Sequence, residues 1–199
     1  MQRSFVIFGL AFVAVMAGVA MYVFRAPVEN AEPVQVVAAT PELAQYPAFT
    51  LNDIDGRPRD FSEWDGRHRM LNFWATWCAP CRREIPLLKE FQVEQGDAGI
   101  LIMGIAVDYP EEVARYAENV EFNYPILVGQ EDAMAVAESS GVQFIAMPFT
   151  MFVTRDGEFL SAFIGELHRS HLDTVSNIFE RLDSGEISTE EARGALDVL

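Results

Sequence analysis

Residues 71–88 run LNFWATWCAPCRREIPLL. The first part belongs to a mostly apolar run, Arg69 to Ala75, which fits a central β-strand buried on both faces. From Pro80 to Gln95, Ile85, Leu88 and Phe91 recur at helical spacing and predict an amphipathic helix, with Pro86 inside it. Between strand and helix stand Cys78 and Cys81, the only two cysteines of the chain. In that frame Cys78 lies at the helix N-terminus, where free backbone N–H groups and the positive end of the helix dipole favour a thiolate. Cys81 lies one turn further on, close enough to form a disulfide with Cys78 and better shielded from water. An exposed thiolate that attacks and a protected thiol that resolves are what thiol–disulfide exchange requires.

Three plainer readings compete. Half of a zinc site needs two more ligands, and His168 and His171, three residues apart, stand far along the chain at a helix start. A structural disulfide across so short a loop would stabilise little. Two inert buried thiols fit poorly with Trp77 just before Cys78 and with placement at a helix terminus. The redox reading is favoured over all three.

Outward from this segment the chain alternates. Phe49 to Leu51 predicts a short strand, Asp55-Gly56 a turn, and Arg59 to Phe61 a partner strand, giving an N-terminal β-hairpin. Ile100 to Val107 is a second continuous apolar strand, Pro110 to Asn119 a helix opened by proline and two glutamates, and Ile126 to Val128 a short strand. Asp132 to Ser140 is a helix stopped by Gly141. Phe149–Thr154 and Phe159–Ile164 form a hairpin around Asp156-Gly157. Ser170 to Leu182 is a helix, and Ser188 to Leu199 a last short one in which Ser188 and Glu191 are spaced as a capping box. Alternation with fully apolar strands predicts an α/β domain with a central mixed sheet and helices on both faces.

The N-terminus differs in kind. Phe5 to Phe24 carries no charge and, at about 20 residues, is long enough to cross a bilayer as a single transmembrane helix. That length favours a retained anchor over a cleaved signal, although Gly18 and Ala20 leave a small-x-small site. Residues 26–45 contain Pro27, Pro33 and Pro41 with no regular period and read as an extended linker. The expected organisation is an anchor over 1–25, a linker over 26–45 and one domain over 46–199. The chain has 199 residues, half of them hydrophobic, with 14 Lys+Arg against 30 Asp+Glu and a formal net charge of -16. So acidic a chain repels phosphate backbones, which excludes nucleic-acid binding as its role. Against that trend Arg67, Arg69, Arg82, Arg83 and Lys89 form a basic island with only Glu84 as an acid, a candidate for holding Cys78 ionised. Trp74 is most simply a core residue and Trp77 a rim residue.

LNFWATWCAPCRREIPLL, with AMPFTMFVTRDGEF at residues 146–159, resembles the thioredoxin superfamily, most closely the membrane-tethered TlpA/ResA/CcmG-like thiol–disulfide oxidoreductases. The resemblance covers most of residues 46–182 and leaves the tail after Ser184 unmatched. It implies a thioredoxin-like fold with Cys78 and Cys81 as the redox-active pair. It implies that Pro148 is the cis-proline set against that pair, and that Met147 and Trp77 meet the substrate. Several reducing members carry an acid at the position of Glu84, which makes Glu84 a candidate catalytic proton carrier for Cys81. Classical thioredoxins use a buried aspartate on the preceding strand, where this chain has Asn72, a residue that cannot titrate. The resemblance further implies no cofactor, protein disulfides as clients, a membrane electron donor of the DsbD/CcdA kind, clients in cytochrome c or copper-centre assembly, and a bacterial inner-membrane location with the domain on the outer, periplasmic side.

The alternatives are a dithiol oxidase and a redox-inert or copper-binding module. The usual strong oxidases carry a histidine between the cysteines and a large all-helical insertion; here Ala79-Pro80 stands between them, and residues 110–140 read helix–strand–helix. A peroxidase of peroxiredoxin type would want threonine three residues before the attacking cysteine, where this chain has Ala75.

Overall fold

A computed structural model describes residues 45–199. The expected anchor over 1–25, and the expected linker up to residue 44, lie outside the described residues. Among the described residues no helix is long and apolar enough to cross a membrane.

Seven strands form one mixed sheet: β1 (Thr50–Asp53), β2 (Pro58–Asp60), β3 (Arg69–Trp74), β4 (Leu101–Val107), β5 (Ile126–Gly129), β6 (Phe149–Val153) and β7 (Phe159–Ile164), in the spatial order β2-β1-β5-β4-β3-β6-β7. β3, β4 and β5 run parallel, and the remaining pairs are antiparallel. The parallel strands are mostly apolar, with Arg69 and Asn72 the polar exceptions in β3, and every residue of β3 and β5 is buried. Five helices connect and cover them: α1 (Ala79–Gln95), α2 (Pro110–Val120), α3 (Glu131–Glu138), α4 (Arg169–Asp183) and α5 (Thr189–Leu196).

Two apolar cores result, one on each face of the sheet. Ile85, Leu88 and Phe91 of α1, Val113 of α2, and Leu172, Val175 and Phe179 of α4 pack with Met70, Trp74, Ile102 and Phe152. On the other face Ala133 and Val136 of α3 join Tyr46, Phe61, Leu71, Phe73 and Phe149. The parallel connections β3–α1–β4 and β4–α2–β5 march in one direction, so their right-handed crossovers put α1 and α2 on the same face. Gly104 in β4 is demanded by this packing: a Cβ there would meet Ile126 Cδ1 at 2.6 Å and Trp74 Nε1 at 3.1 Å.

The tail after Ser184, unmatched by the family resemblance, closes the fold. Ile187, Ala192 and Leu196 are buried in the core on the α1 face. Arg193 Nη2 donates to Phe159 O at 2.8 Å, and Ser161 Oγ donates to Asp197 Oδ1 at 2.6 Å, so α5 shields the outer edge of β7. Phe61, expected as the end of a strand, instead opens a 3-10 turn (Phe61–Trp64). Asp60 accepts from Ser62 N while Glu63 accepts from Asp60 N, and this reciprocal cap ends β2 one residue early.

Candidate active site

Thr76 and Trp77 are the middle residues of a turn between β3 and α1, closed by Cys78 N–H donating to Ala75 O at 3.1 Å. Cys78 is the N-cap of α1, in an extended conformation, and its sulfur accepts from the Cys81 amide at 3.3 Å. Pro80 sits in the first turn, where its missing N–H leaves no helical bond unmade. The two cysteines are joined as a disulfide, with Cα atoms 5.3 Å apart. Cys81 is wholly buried and Cys78 only 5% exposed, so in this oxidised state the difference in access is smaller than expected, while Trp77 before them is 68% exposed.

Below the disulfide lies a buried polar cluster. Glu84 is one helical turn past Cys81 and only 1% exposed. Its Oε1 accepts from Asn72 Nδ2 at 2.9 Å and its Oε2 from the Leu167 amide at 2.7 Å. Asn72 also donates to Thr150 Oγ1 at 3.0 Å, a contact set by the pairing of Asn72 with Thr150 across β3 and β6. Burial disfavours the carboxylate and outweighs these two donors, so the Glu84 pKa is pushed up to about 7. Arg83, its neighbour in sequence, turns outward to pair with Glu166. Tyr124, raised mainly by burial, is raised further by the Glu84 charge.

The Met147–Pro148 peptide bond is cis. Pro148 is buried and Met147 half-buried. The next residue, Phe149, pairs with Phe73, so Met147–Pro148 lies at the end of the sheet from which the Cys78 turn departs. Pro148 O accepts from Gly165 N at 2.9 Å, which ties this loop to the segment carrying the Leu167 amide.

The structure disperses the basic island. Arg67 bonds the carbonyls of Gly96 and Gly99, Arg69 is buried at the opposite end of β3 against Asp65, and Lys89 bonds Val120 O. Arg67, Arg69 and Lys89 are thus committed elsewhere, while the N-terminus of α1 is presented at Cys78. His168 and His171 cap α4: His171 Nδ1 accepts from the His168 amide at 3.1 Å. The sequence reading missed two contributors. One is the Leu167 amide, a backbone group without a sequence signal. The other is Asp108, which accepts from the Thr76 amide at 2.9 Å and the Thr76 hydroxyl at 2.6 Å. A polar residue ending an apolar strand next to β3 was the available clue.

A thioredoxin-like sheet with a vicinal cysteine pair capping the helix after a central strand defines the class: thiol–disulfide oxidoreductases. The model of the AhpC/TSA family matches residues 44–160, and the chain belongs to that family. It is similar to the thiol-disulfide oxidoreductase ResA of Geobacillus thermodenitrificans (strain NG80-2), 28% identical over 134 residues that cover 65% of this chain and 75% of the relative. Among solved structures, it resembles a thiol:disulfide interchange protein of Bacteroides sp. with a TM-score of 0.62 at 21% identity, over 74% of this chain and 96% of that one. A thioredoxin-family interchange protein of Chlorobium tepidum TLS gives a TM-score of 0.60 at 23% identity, over 71% of this chain and 97% of that one.

Proposed function

We propose that this protein is a membrane-tethered reductase of extracytoplasmic protein disulfides. The observation that carries the reading is the cysteine pair capping α1 above a buried, neutral-range carboxylate, Glu84. In the reduced protein the Cys78 thiolate keeps the Cys81 amide and the helix N-terminus as its stabilisers. It attacks one sulfur of a client disulfide, forming a mixed disulfide and releasing the other client sulfur as a thiolate. Cys81 then gives its proton to the Glu84 carboxylate and attacks the Cys78 sulfur. The bond to the client breaks, and its second thiolate leaves. The client gains two electrons, and the Cys78–Cys81 disulfide remains.

A carboxylate with a pKa near 7 accepts a proton at neutral pH and can return it when the pair is reduced again. Trp77 and the Met147 backbone beside Pro148 receive the client chain. With no further cysteine for an internal relay, reduction is restored by an external dithiol, for which a membrane donor of the DsbD/CcdA type is the candidate. Phe5–Phe24 is the tether, the inner membrane the location, and disulfides of cytochrome c or copper-centre assembly the client class.

Equilibration of the full chain with a thiol redox buffer tests the direction. The expected potential lies well below that of DsbA, about −120 mV. A value near DsbA would make the protein a disulfide-forming oxidase, and tight Cu(I) binding without turnover of disulfides would make it a metal carrier.

A further inference from the structure

Asp108 is a buried carboxylate that the exchange chemistry does not use. It follows the last residue of β4, is 6% exposed, and its own amide donates to Gly129 O at 3.0 Å, the last residue of β5. Its side chain reaches sideways to the neighbouring strand exit. Oδ2 takes both the amide (2.9 Å) and the hydroxyl (2.6 Å) of Thr76, and Oδ1 takes the Tyr109 amide at 2.8 Å. The register explains the reach: Trp74 pairs with Ala106, so the residues two further on leave the sheet side by side.

We propose that Asp108 is a positioning residue for the exchange reaction, acting through Thr76. The inference rests on the reading of Cys78 as the attacking thiol. The turn Ala75–Cys78 has only two central residues, and Asp108 fixes the first of them twice. The second is Trp77, and the turn ends on the cysteine that caps α1. Helix-terminal stabilisation of a charge falls off within one turn, so a small swing of this turn takes the Cys78 sulfur off the amides that hold it ionised. Two bonds from one residue to one carboxylate oxygen fix the plane of the Thr76 peptide, which a single bond would leave free to rock. Trp77, the second central residue, is exposed, and the Tyr109 amide is held by the other oxygen of Asp108.

The test uses the full reduced chain, with the pH dependence of Cys78 alkylation by iodoacetamide and the reduction of insulin as readouts. Thr76→Val removes the hydroxyl donor and keeps the Asp108 charge. Loosening the turn and leaving that charge less satisfied both disfavour the thiolate. The Cys78 thiol pKa is therefore expected to rise by about one unit, a tenfold loss of thiolate below it, with insulin reduction slowed in step. Thr76→Ser restores the donor and is expected to restore both. A folded Thr76→Val that overlays the wild type, or a Thr76→Ser slowed as much as Thr76→Val, overturns the proposal. Should Thr76→Val fail to fold, Asp108→Ala decides: it removes both acceptor oxygens and with them both Thr76 bonds, so slower insulin reduction supports the proposal and wild-type rates overturn it. The wild-type titration curve tests the attacking-thiol reading; the difference between curves tests the positioning role.

Discussion

The two ends of β3 solve the same problem in opposite ways. At its start, a buried arginine and a buried imidazole meet carboxylates. Arg69, wholly buried, pairs with Asp65 at 2.7 Å, donates to Thr154 O at 3.0 Å and lies over the Phe61 ring. Just before it, His68 bonds Asp183 at 2.9 Å, stacks on Phe179 and accepts from the Arg155 amide, while Arg155 pairs with Asp183. Toward its end the buried acids have only neutral donors. Glu84 is held by an amide side chain and a backbone N–H, and Asp108 by a threonine and another backbone N–H. The pairs at the start tie β3 to its surroundings and serve stability. Glu84, buried with neutral partners, has its pKa driven up to about 7 and can exchange a proton. One strand therefore carries a structural end and a chemical end.

Changes at the structural end are expected to cost stability and spare reactivity. The largest effect belongs to removal of residues 185–199, which takes Ile187, Ala192 and Leu196 out of the core and strips Arg193 from the foot of β7. A loss of about 5 kcal/mol or more is expected in urea denaturation, enough to leave little folded protein. Arg69→Ala comes next, at about 3 kcal/mol, because it empties a buried volume and takes away one of the two donors to Thr154 O, leaving only the Gly157 amide. The alkylation rate of Cys78 in the protein that remains folded is expected to be unchanged; a slowed rate would erase the distinction between the two ends.

Glu84→Gln tests the chemical end by its pH dependence. The folded-state pKa of Glu84 is raised from 4.5 to about 7. Its contribution to stability is therefore fully present below pH 4.5 and is lost as pH rises through 7. That amounts to about 3 kcal/mol at 1.36 kcal/mol per unit. Wild type is expected to lose this much relative to Glu84→Gln between pH 4.5 and 8 in paired denaturation curves, and the variant is expected to lose the step near pH 7 in its exchange rate. A constant difference across that range would show that Glu84 does not titrate there. The smallest effect is at His68, whose pKa burial holds below the ordinary imidazole value against the opposing pull of Asp183. Its stabilisation is present above pH 6.5 and is lost as pH falls through the lowered pKa. Wild type is thus expected to be more acid-labile than His68→Gln in thermal melts below pH 6.5.

What the sequence conveyed follows the reach of each interaction. The apolar runs of β3 and β4, the Asp156-Gly157 turn and the Ser188–Glu191 cap are written locally, and all are present in the structure. The cysteine pair is also local, since both sulfurs lie within one turn of one helix. Glu84 was visible through family likeness, and its partners only in part: Asn72 lies on the preceding strand, but the Leu167 amide comes from 83 residues away. Asp108 and Thr76, 32 residues apart, meet only because β3 and β4 pair in a particular register. Arg69 misled for a related reason. Its nearness in sequence to Cys78 suggested a shared field, but β3 carries it to the far end of the sheet.

The most direct test of the dithiol mechanism is mass spectrometry of complexes formed between an oxidised protein disulfide and each single-cysteine variant. Cys81→Ser is expected to accumulate a mixed disulfide through Cys78, and Cys78→Ser to form none at a comparable rate. Equal trapping by both variants, or trapping through Cys81 alone, would contradict the assignment of Cys78 as the attacking sulfur.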